Sequence, residues 1–222
     1  MRQGQLRIAG IVAAAGLSTR MGDFKPLLPY AASTIIQTSV ALLQNAGVQQ
    51  IIVVVGYRGD EIEAQVSGMK DTEVIYNPNY LNGDMLESIQ LGLGQVRGCD
   101  AAYVLPGDMP AIATETLQSI QQCMEKTGSS VVFPTFKGRK KHPPLIACHC
   151  FDNIRHFSND GGLKIALQQF HKETAYVAVN DFGCSIDADT PTDYCQLLHY
   201  QRCMSGQEFL KCKISLFYKL PI

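Results

Sequence analysis

The sequence predicts an α/β fold, a three-layer, Rossmann-like arrangement around a mostly parallel sheet. Apolar runs rich in β-branched residues alternate with helical stretches along nearly the whole chain, which is typical of βαβ units. The run IIVVV at residues 51–55 is apolar on both faces, as expected of a parallel strand covered by helices on either side. Gly47 and Gly128 stand where glycines commonly end helices.

The first predicted strand, residues 6–12, is an apolar run that breaks into small residues, and similar runs follow it. These strands are predicted at residues 50–55, 73–76, 101–105, 130–134, 145–148 and 175–179. Helices are predicted between them and after the last, at residues 34–46, 59–65, 85–93, 114–126, 162–170 and 191–203. Ligands in such sheets bind beyond the carboxyl ends of the strands, so we expect the active site at that edge.

Composition favours one globular domain, predicted over residues 1–203, with a tail of unassigned role at 204–222. The 222 residues are 46% hydrophobic and 18% charged. With 19 Lys and Arg against 20 Asp and Glu, the chain lacks the basic excess of a nucleic-acid binder. We find neither a membrane-spanning run nor a signal-peptide core, so we expect no membrane association and a cytoplasmic location. None of the eight cysteines forms a CxxC pair.

Residues 13–25, AAAGLSTRMGDFK, follow the first strand and form the most informative motif. Ala14, Ala15 and Gly16 leave the backbone accessible, so its N–H groups can hold phosphate oxygens. Arg20 and Lys25 add fixed positive charge in the same loop. The spacing fits neither a Walker loop nor a dinucleotide fingerprint. The motif therefore predicts a triphosphate site, and the alternative is an ordinary loop with two solvated cations.

Two acidic motifs are candidates for a Mg²⁺ site. In residues 104–110, VLPGDMP, the carboxylate of Asp108 follows a strand in a stiff turn between a glycine and a proline, and Pro106 and Gly107 are predicted, with Asp108, to contact the nucleotide. In residues 185–194, SIDADTPTDY, Asp187 and Asp189 are two apart and would point the same way from an extended segment. Mg²⁺ takes one or two carboxylates plus phosphate oxygens. We favour Asp108 with Asp187, leaving Asp189 open; alternatively, each motif simply caps the helix that follows it.

The first motif resembles the signature LAAGxSxRMGxxK of nucleotidyltransferases that activate small phosphorylated substrates with an NTP. Within them the chain is most similar to the molybdenum cofactor cytidylyltransferases, over roughly residues 8–200. The resemblance implies a fold of the nucleotide-diphospho-sugar transferase type. It also implies that GDMP, at residues 107–110, is a Mg²⁺ ligand motif, and that residues 187–194 correspond to the family pattern DIDTPEDY.

A further match lies in residues 77–88, where Asn77, Gly83 and Ser88 fit the family segment N–x5–G–x4–S. These residues, with Gly56 after the second strand, are predicted to surround the base or ribose; the alternative is a surface loop with a helix cap. The methyl group of Ala15 would take room that a purine could use, so CTP is favoured over GTP, mainly on the resemblance.

The acceptor side is predicted around the basic run KGRKKHPP at residues 137–144. The related enzymes show Gly-Arg-x-Gly-His-Pro there, so His142 and Pro143 match while Lys141 replaces a glycine. Asp160 lies in a stretch similar to the family's GDxGxR and is a candidate for orienting the acceptor. Alternatively, the basic run is solvated surface.

The predicted activity is Mg²⁺-dependent transfer of CMP from CTP to the phosphate of a molybdopterin-type cofactor, with release of pyrophosphate. Arg20, Lys25 and Asp108 are the candidate catalytic residues. A molybdoenzyme is a candidate recipient of the product. The alternatives are cytidylyl or uridylyl transfer to a sugar or polyol phosphate, guanylyl transfer from GTP to the same cofactor, and nucleotide binding without turnover.

Overall fold

In the computed structural model, which describes residues 5–158 and 161–205, an eight-stranded sheet lies at the centre. The strands are β1 (Ile8–Ala14), β2 (Pro29–Tyr30), β3 (Ser33–Thr34), β4 (Gln50–Val55), β5 (Thr72–Tyr76), β6 (Ala101–Pro106), β7 (Val131–Phe136), β8 (Arg139–Lys140), β9 (Leu145–Ala147) and β10 (Thr174–Ala178). Strands β2 and β3 form a separate antiparallel pair.

Helices flank both faces of the sheet. They are α1 (Ile35–Asn45), α2 (Gly59–Val66), α3 (Met85–Gln95), α4 (Thr114–Thr127), α5 (Phe151–Arg155), α6 (Gly162–Ala166) and α7 (Pro191–Met204). Turns of 3₁₀ helix lie at Lys25–Leu27, Cys148–Cys150, Leu167–Glu173 and Phe182–Ser185. Local chemistry sets several ends: Thr34 and Gln37 form a capping box at α1, and Gly128 closes α4 at φ 63°.

The sheet order is β5-β4-β1-β6-β9-β7-β10, with β8 paired to β7. All neighbours in that order are parallel except β9, which runs antiparallel to both β6 and β7. The predicted three-layer, mostly parallel α/β fold is therefore confirmed. The carboxyl ends of β1, β4 and β6 lie side by side, since Ala14 pairs with Val55 and Ala13 with Pro106.

Two hydrophobic clusters show why the central strands are apolar on both faces. Ile51 and Val53 of β4 pack into a cluster with α1, α2 and α4, whereas Ile52 and Val54 pack into a second cluster with α3, α5 and α6. All four side chains are fully buried. Successive residues of a strand point to opposite faces, so a strand between two helical layers must be apolar throughout.

Several element predictions needed correction. The strand predicted at 145–148 ends at Ala147, because Cys148–Cys150 forms a 3₁₀ turn leading into α5, a helix too short to be recognised from periodicity. The helix predicted at 162–170 divides into α6 and a 3₁₀ turn. The hairpin of β7 and β8 was also missed; Lys137 and Gly138 turn it with φ values of 49° and 73°.

The division into a domain at 1–203 and a tail at 204–222 stays a prediction, and residues 206–222 lie outside the described part of the chain. Among the residues that the structure describes, no helix combines the length and the apolar character needed to cross a bilayer.

Candidate active site

The loop that follows β1 and the turn that follows β6 enclose a pocket of about 290 Å³ at the carboxyl edge of the sheet. Residues from the first motif, from the turn after β6 and from the approach to α7 line it together. They include Ala14, Gly16, Ser18, Arg20, Lys25, Met85, Pro106, Gly107, Asp108 and Asp189. The structure therefore brings together, in one cavity, three motifs that are far apart in the sequence.

Small residues allow the two loops to approach closely. The Gly107 amide donates to the Ala13 carbonyl at 2.9 Å. A Cβ atom at Gly107 would lie 3.0 Å from that carbonyl oxygen and 3.1 Å from the Ala14 Cβ atom, so a side chain there would push the loops apart. Beyond them, Ser18 adopts a positive φ of 57°, and its hydroxyl accepts from the Lys25 amide at 3.2 Å.

Four charged side chains form one ion-pair network in the pocket. The Lys25 ammonium lies 2.6 Å from Asp189 and 3.3 Å from Asp108, and Arg20 lies 2.9 Å from the other oxygen of Asp189. The side chain of Lys25 is only 11% exposed, whereas that of Arg20 is 70% exposed. Lys25 is therefore a nearly buried cation whose charge two carboxylates balance.

Backbone contacts place the acidic segment before α7 beside the turn after β6. The Ala188 amide donates to the Asp108 carbonyl at 3.2 Å. Ile186 and Ala188 are buried in a third apolar cluster with Ile35 and other residues. Since alternate residues of an extended segment point to opposite sides, Asp187 and Asp189 lie away from that cluster, on the same side.

The two aspartates have opposite electrostatic surroundings. Asp187 is exposed and is not among the residues that line the pocket, and its pKa is raised by desolvation and by the charges of Asp189 and Asp108. The pKa of Asp189 is lowered, first by its hydrogen bond to Lys25 and further by the charges of Lys25 and Arg20, against opposing desolvation. Asp189 is therefore firmly ionised, whereas Asp187 takes up a proton more readily.

The residues present fit a hard divalent cation that arrives with a ligand. Asp108, Asp187 and Asp189 provide only carboxylate oxygens, the donors that Mg²⁺ prefers. Within residues 5–158 and 161–205, no group of three or more His, Cys, Asp and Glu side chains is arranged to hold a metal ion by itself. Such a site suits Mg²⁺, which keeps water and phosphate oxygens among its ligands.

A smaller pocket of about 110 Å³ adjoins the first and shares Ala13, Gly16 and Met85 with it. Ala15, Asn77, Gly83 and Ser88 are also in its wall. The buried Asn77 amide donates to the Ser88 hydroxyl at 3.0 Å and accepts from the Asn79 amide at 2.8 Å. Asn77 and Ser88 therefore already satisfy each other, and they shape the pocket by fixing its loop.

Gly56 is not among the lining residues of either pocket. A Cβ atom there would collide with Tyr80 and would lie 2.8 Å from the Ala15 carbonyl oxygen. Tyr80 lines the smaller pocket, so Gly56 acts behind the wall by letting Tyr80 pack against the loop. The part of Gly56 in closing the base pocket stays a prediction.

His142 and Pro143 lie beside strand β6, which leads to Asp108. The Val104 amide of β6 donates to the Pro144 carbonyl at 3.1 Å, which brings residues 142–144 alongside the strand that leads to Asp108. The pKa of His142 is lowered by desolvation and by the charge of Lys140, while Asp108 opposes the shift. His142 is joined to the buried Pro143 by a cis peptide bond. Asp160 lies outside the described residues.

Comparison with known proteins shows the family to which the chain belongs. The model of the MobA-like NTP transferase domain matches residues 10–175. The chain belongs to the MobA-like NTP transferase family. The resemblance inferred from the first motif is thereby confirmed, and the protein is a member of a nucleotidyltransferase family.

Curated relatives include transferases of two nucleotide types. The chain is 29% identical to the molybdenum cofactor cytidylyltransferase of Escherichia coli K12 over 83% of this chain and 92% of that protein. It is 30% identical to a probable molybdenum cofactor guanylyltransferase of Bacillus mycoides over 64% and 68% of the respective chains. With the bifunctional protein GlmU of Geobacter sulfurreducens it shares 29% identity over 61% of this chain, but over only 29% of that protein.

Solved structures show the same fold. A nucleotidyl transferase from Methanothermobacter thermautotroptrophicus aligns with a TM-score of 0.76 at 26% identity, over 90% of this chain and 99% of that one. The manganese complex of Rv0371c from Mycobacterium tuberculosis aligns at 0.68 and 22% identity, over 87% and 98%. A CMP:2-keto-3-deoxy-manno-octonic acid synthetase complexed with CTP aligns at 0.71 and 15%, over 90% and 99%. The predicted nucleotide-diphospho-sugar transferase fold is thereby confirmed.

Sequence reasoning missed Asp181, a buried residue that positions the acidic segment of this transferase. Its carboxylate accepts from the Ala113 amide, the Thr116 hydroxyl and the Gly183 amide, each at 2.8 Å. Asp181 lies six residues before Asp187. Its hydrogen bonds attach the segment that follows β10 to the start of α4. The only sequence signal was an aspartate shortly after a strand, which is too common to single out. Met85, which lines both pockets, was also missed, because a single methionine at the start of a helix is no signal for a binding site.

Proposed function

We propose that the protein transfers CMP from CTP to the terminal phosphate of a molybdopterin-type cofactor and releases pyrophosphate. The observation that carries the proposal is the meeting of Arg20, Lys25, Asp108 and Asp189 in a pocket next to a loop without bulky side chains. Two cations suit a triphosphate, and carboxylate oxygens suit the metal that accompanies it. A regulator that only binds nucleotide would not need such a metal site.

In this mechanism, the chain contributes mainly position and charge. The backbone of Ala14, Ala15 and Gly16 lies along the phosphates, and Arg20 and Lys25 hold them. An acceptor phosphate oxygen attacks the α-phosphorus in line, and pyrophosphate leaves. Holding both reactants in line lowers the barrier without a covalent enzyme intermediate, so no nucleophilic side chain is required.

Mg²⁺ would be held by Asp108 together with Asp187 or Asp189, and when bound it polarises the α-phosphate. The structure of Rv0371c from Mycobacterium tuberculosis is a complex with manganese, which supports a divalent cation in this fold. Between the two aspartates, we favour Asp187, since Asp189 is already bonded to both cations.

CTP is the favoured nucleotide. The smaller pocket, of about 110 Å³, is lined by Ala15, Asn77, Gly83 and Ser88 and lies where the base would extend from the triphosphate. Gly56 supports its wall from behind. The cytidylyltransferase relative supports CTP, and the guanylyltransferase relative keeps GTP as the second candidate.

The acceptor is proposed to lie on the other side of Asp108, against His142 and Pro143, with Asp160 as a further contact. Lys141 stands where the related cytidylyltransferases have glycine, and this departure favours one alternative, transfer to a sugar or polyol phosphate. Under the preferred proposal the product passes to a molybdoenzyme, and the reaction takes place in the cytoplasm.

The test measures pyrophosphate release with Mg²⁺ and each of CTP, GTP, UTP and ATP, using molybdopterin and glycerol 3-phosphate as separate acceptors. We expect release with CTP and molybdopterin, and we expect Ala15→Gly to lower the CTP-to-GTP ratio of kcat/KM severalfold by widening the pocket. Preference of the unmodified protein for GTP would refute the base assignment. Release only with glycerol 3-phosphate would refute the acceptor, and no release with any pair would favour a binding protein.

A further inference from the structure

Asp189 contacts the phosphate-binding cations in the way that a ligand would. One of its oxygens lies 2.6 Å from the Lys25 ammonium and the other lies 2.9 Å from the Arg20 guanidinium. It reaches Lys25 across 164 residues of sequence and lines the same pocket as the loop after β1. A phosphate group bound there would also place one oxygen on each of the two cations.

Both cations of the pocket are already paired with carboxylates when no nucleotide is bound. Arg20 and Lys25 face Asp108 and Asp189, and Asp187 adds a further carboxylate close by. Lys25 is nearly buried, so its charge cannot be left without a partner at low cost. A triphosphate that arrives without a metal ion therefore has to compete with Asp189 for both cations, and it also meets uncompensated carboxylates.

We propose that Asp189 is a positioning residue that holds Arg20 and Lys25 in the nucleotide-free protein and is exchanged for phosphate oxygens when the nucleotide binds. The proposal rests on the proposed function in taking a triphosphate as the ligand of this pocket. Its consequence is selectivity: a nucleotide complexed with a divalent cation brings positive charge for the displaced carboxylate, whereas a metal-free nucleotide brings none. Asp189 thus makes the site discriminate against metal-free NTP.

The backbone of the segment around Asp189 is held by contacts that do not involve its carboxylate, and Asp108 remains as a partner of Lys25. This segment is fixed by the Ala188 amide on the Asp108 carbonyl, by the buried Ile186 and Ala188 side chains, and by the capping box of Thr190 and Asp193 that starts α7. Asp189→Asn keeps the size of the side chain and removes its charge. A change in ligand binding by this variant therefore reports on the exchange and not on unfolding.

The experiment is calorimetric titration of CTP into the full-length protein, once in EDTA and once with excess Mg²⁺. Asp189→Asn is expected to bind metal-free CTP about tenfold more tightly than the unmodified protein. In this variant the triphosphate no longer has to displace two charge-assisted bonds, those of Asp189 to Lys25 and Arg20, and the loss of each bond contributes to the gain in affinity. The ratio of the two dissociation constants, without and with Mg²⁺, is expected to fall accordingly.

Asp23→Asn is the matched control, since it removes the same charge from the exposed part of the loop after β1, where the carboxylate has no ion pair to Arg20 or Lys25. We expect it to change metal-free CTP binding less than about threefold, as for a nearby charge without direct contact. If Asp189→Asn binds metal-free CTP no more tightly than the unmodified protein, or if the control gains as much, the exchange is refuted.

Inorganic tripolyphosphate in EDTA is the second probe, because it tests the exchange without the base pocket. If Asp189→Asn, but not the control variant, binds tripolyphosphate more tightly than the unmodified protein, the exchange is supported. If the protein also binds none of CTP, GTP, UTP and ATP, the proposed function is refuted. Nucleotide binding with Mg²⁺ but no gain with either probe would refute the exchange and leave the proposed function standing.

Discussion

Two cationic regions of this molecule differ in whether their charges are paired with carboxylates. In the pocket after β1, Arg20 and Lys25 are paired with Asp108 and Asp189. On the hairpin of β7 and β8, the basic residues 137 and 139–141 form no ion pair with any side chain in the described part of the chain. There, Lys140 instead lies over the Phe133 ring at 4.3 Å.

Burial explains the difference. The Lys25 side chain is 11% exposed and needs partners to remain charged away from water, whereas residues 137–140 of the hairpin are mostly exposed and hydrated. A charge that is already paired must exchange partners before it can hold a ligand. An unpaired surface charge can attract one without such a cost. We therefore expect the nucleotide pocket to be selective and the hairpin to contribute a weaker, salt-dependent attraction for an anionic acceptor.

Asp108→Asn is expected to have the greatest effect on activity. The amide keeps the size of the side chain but removes a carboxylate from the metal side of the pocket. We expect pyrophosphate release to fall at least about a hundredfold at limiting Mg²⁺, as is typical when charge stabilisation of a transition state is lost. Nucleotide binding through Arg20 and Lys25 should persist, which calorimetry would show. Near-normal release would mean that Asp108 only caps the following turn.

Lys25→Ala removes the buried cation itself. A charge-assisted contact to phosphate is worth about 1.5–3 kcal/mol, so CTP affinity and turnover should both fall about ten- to a hundredfold. The variant also leaves Asp108 and Asp189 facing each other, and the pKa of Asp189, which Lys25 holds down, should rise. Circular dichroism would confirm the fold. Unchanged affinity and rate in a folded variant would remove Lys25 from the phosphate site.

The smallest expected effect is on the hairpin side. Lys141→Gly restores the residue that the related cytidylyltransferases carry and should raise the KM for the phosphorylated acceptor about two- to fivefold, as for a partly exposed charge pair. CTP affinity should not change. Lys137→Ala, at the tip of the hairpin, is the matched control and should leave both constants unaltered. If Lys141→Gly changed the affinity for CTP, the hairpin and the pocket after β1 would belong to one binding site.

Much of the site could be predicted because its parts are local. The sequence VLPGDMP indicated that Asp108 lies in a fixed turn. Thr190 followed by Pro191 correctly predicted where α7 begins. The role of Gly56 could not be predicted, because it depends on the later loop that carries Tyr80. The same holds for Asp181, two of whose partners lie at the start of α4, far away in the sequence.

Short-range sequence patterns specify the alternation of strands and helices, the apolar character of the central strands and the motifs that end them. These depend on residues close together in the chain: periodicity, small side chains and caps act within a few positions. Tertiary structure alone decided that β9 runs antiparallel between β6 and β7, and that Lys25 pairs with Asp189 and not with Asp187. Both follow from the register of distant segments, which packing of the whole sheet and its helices sets.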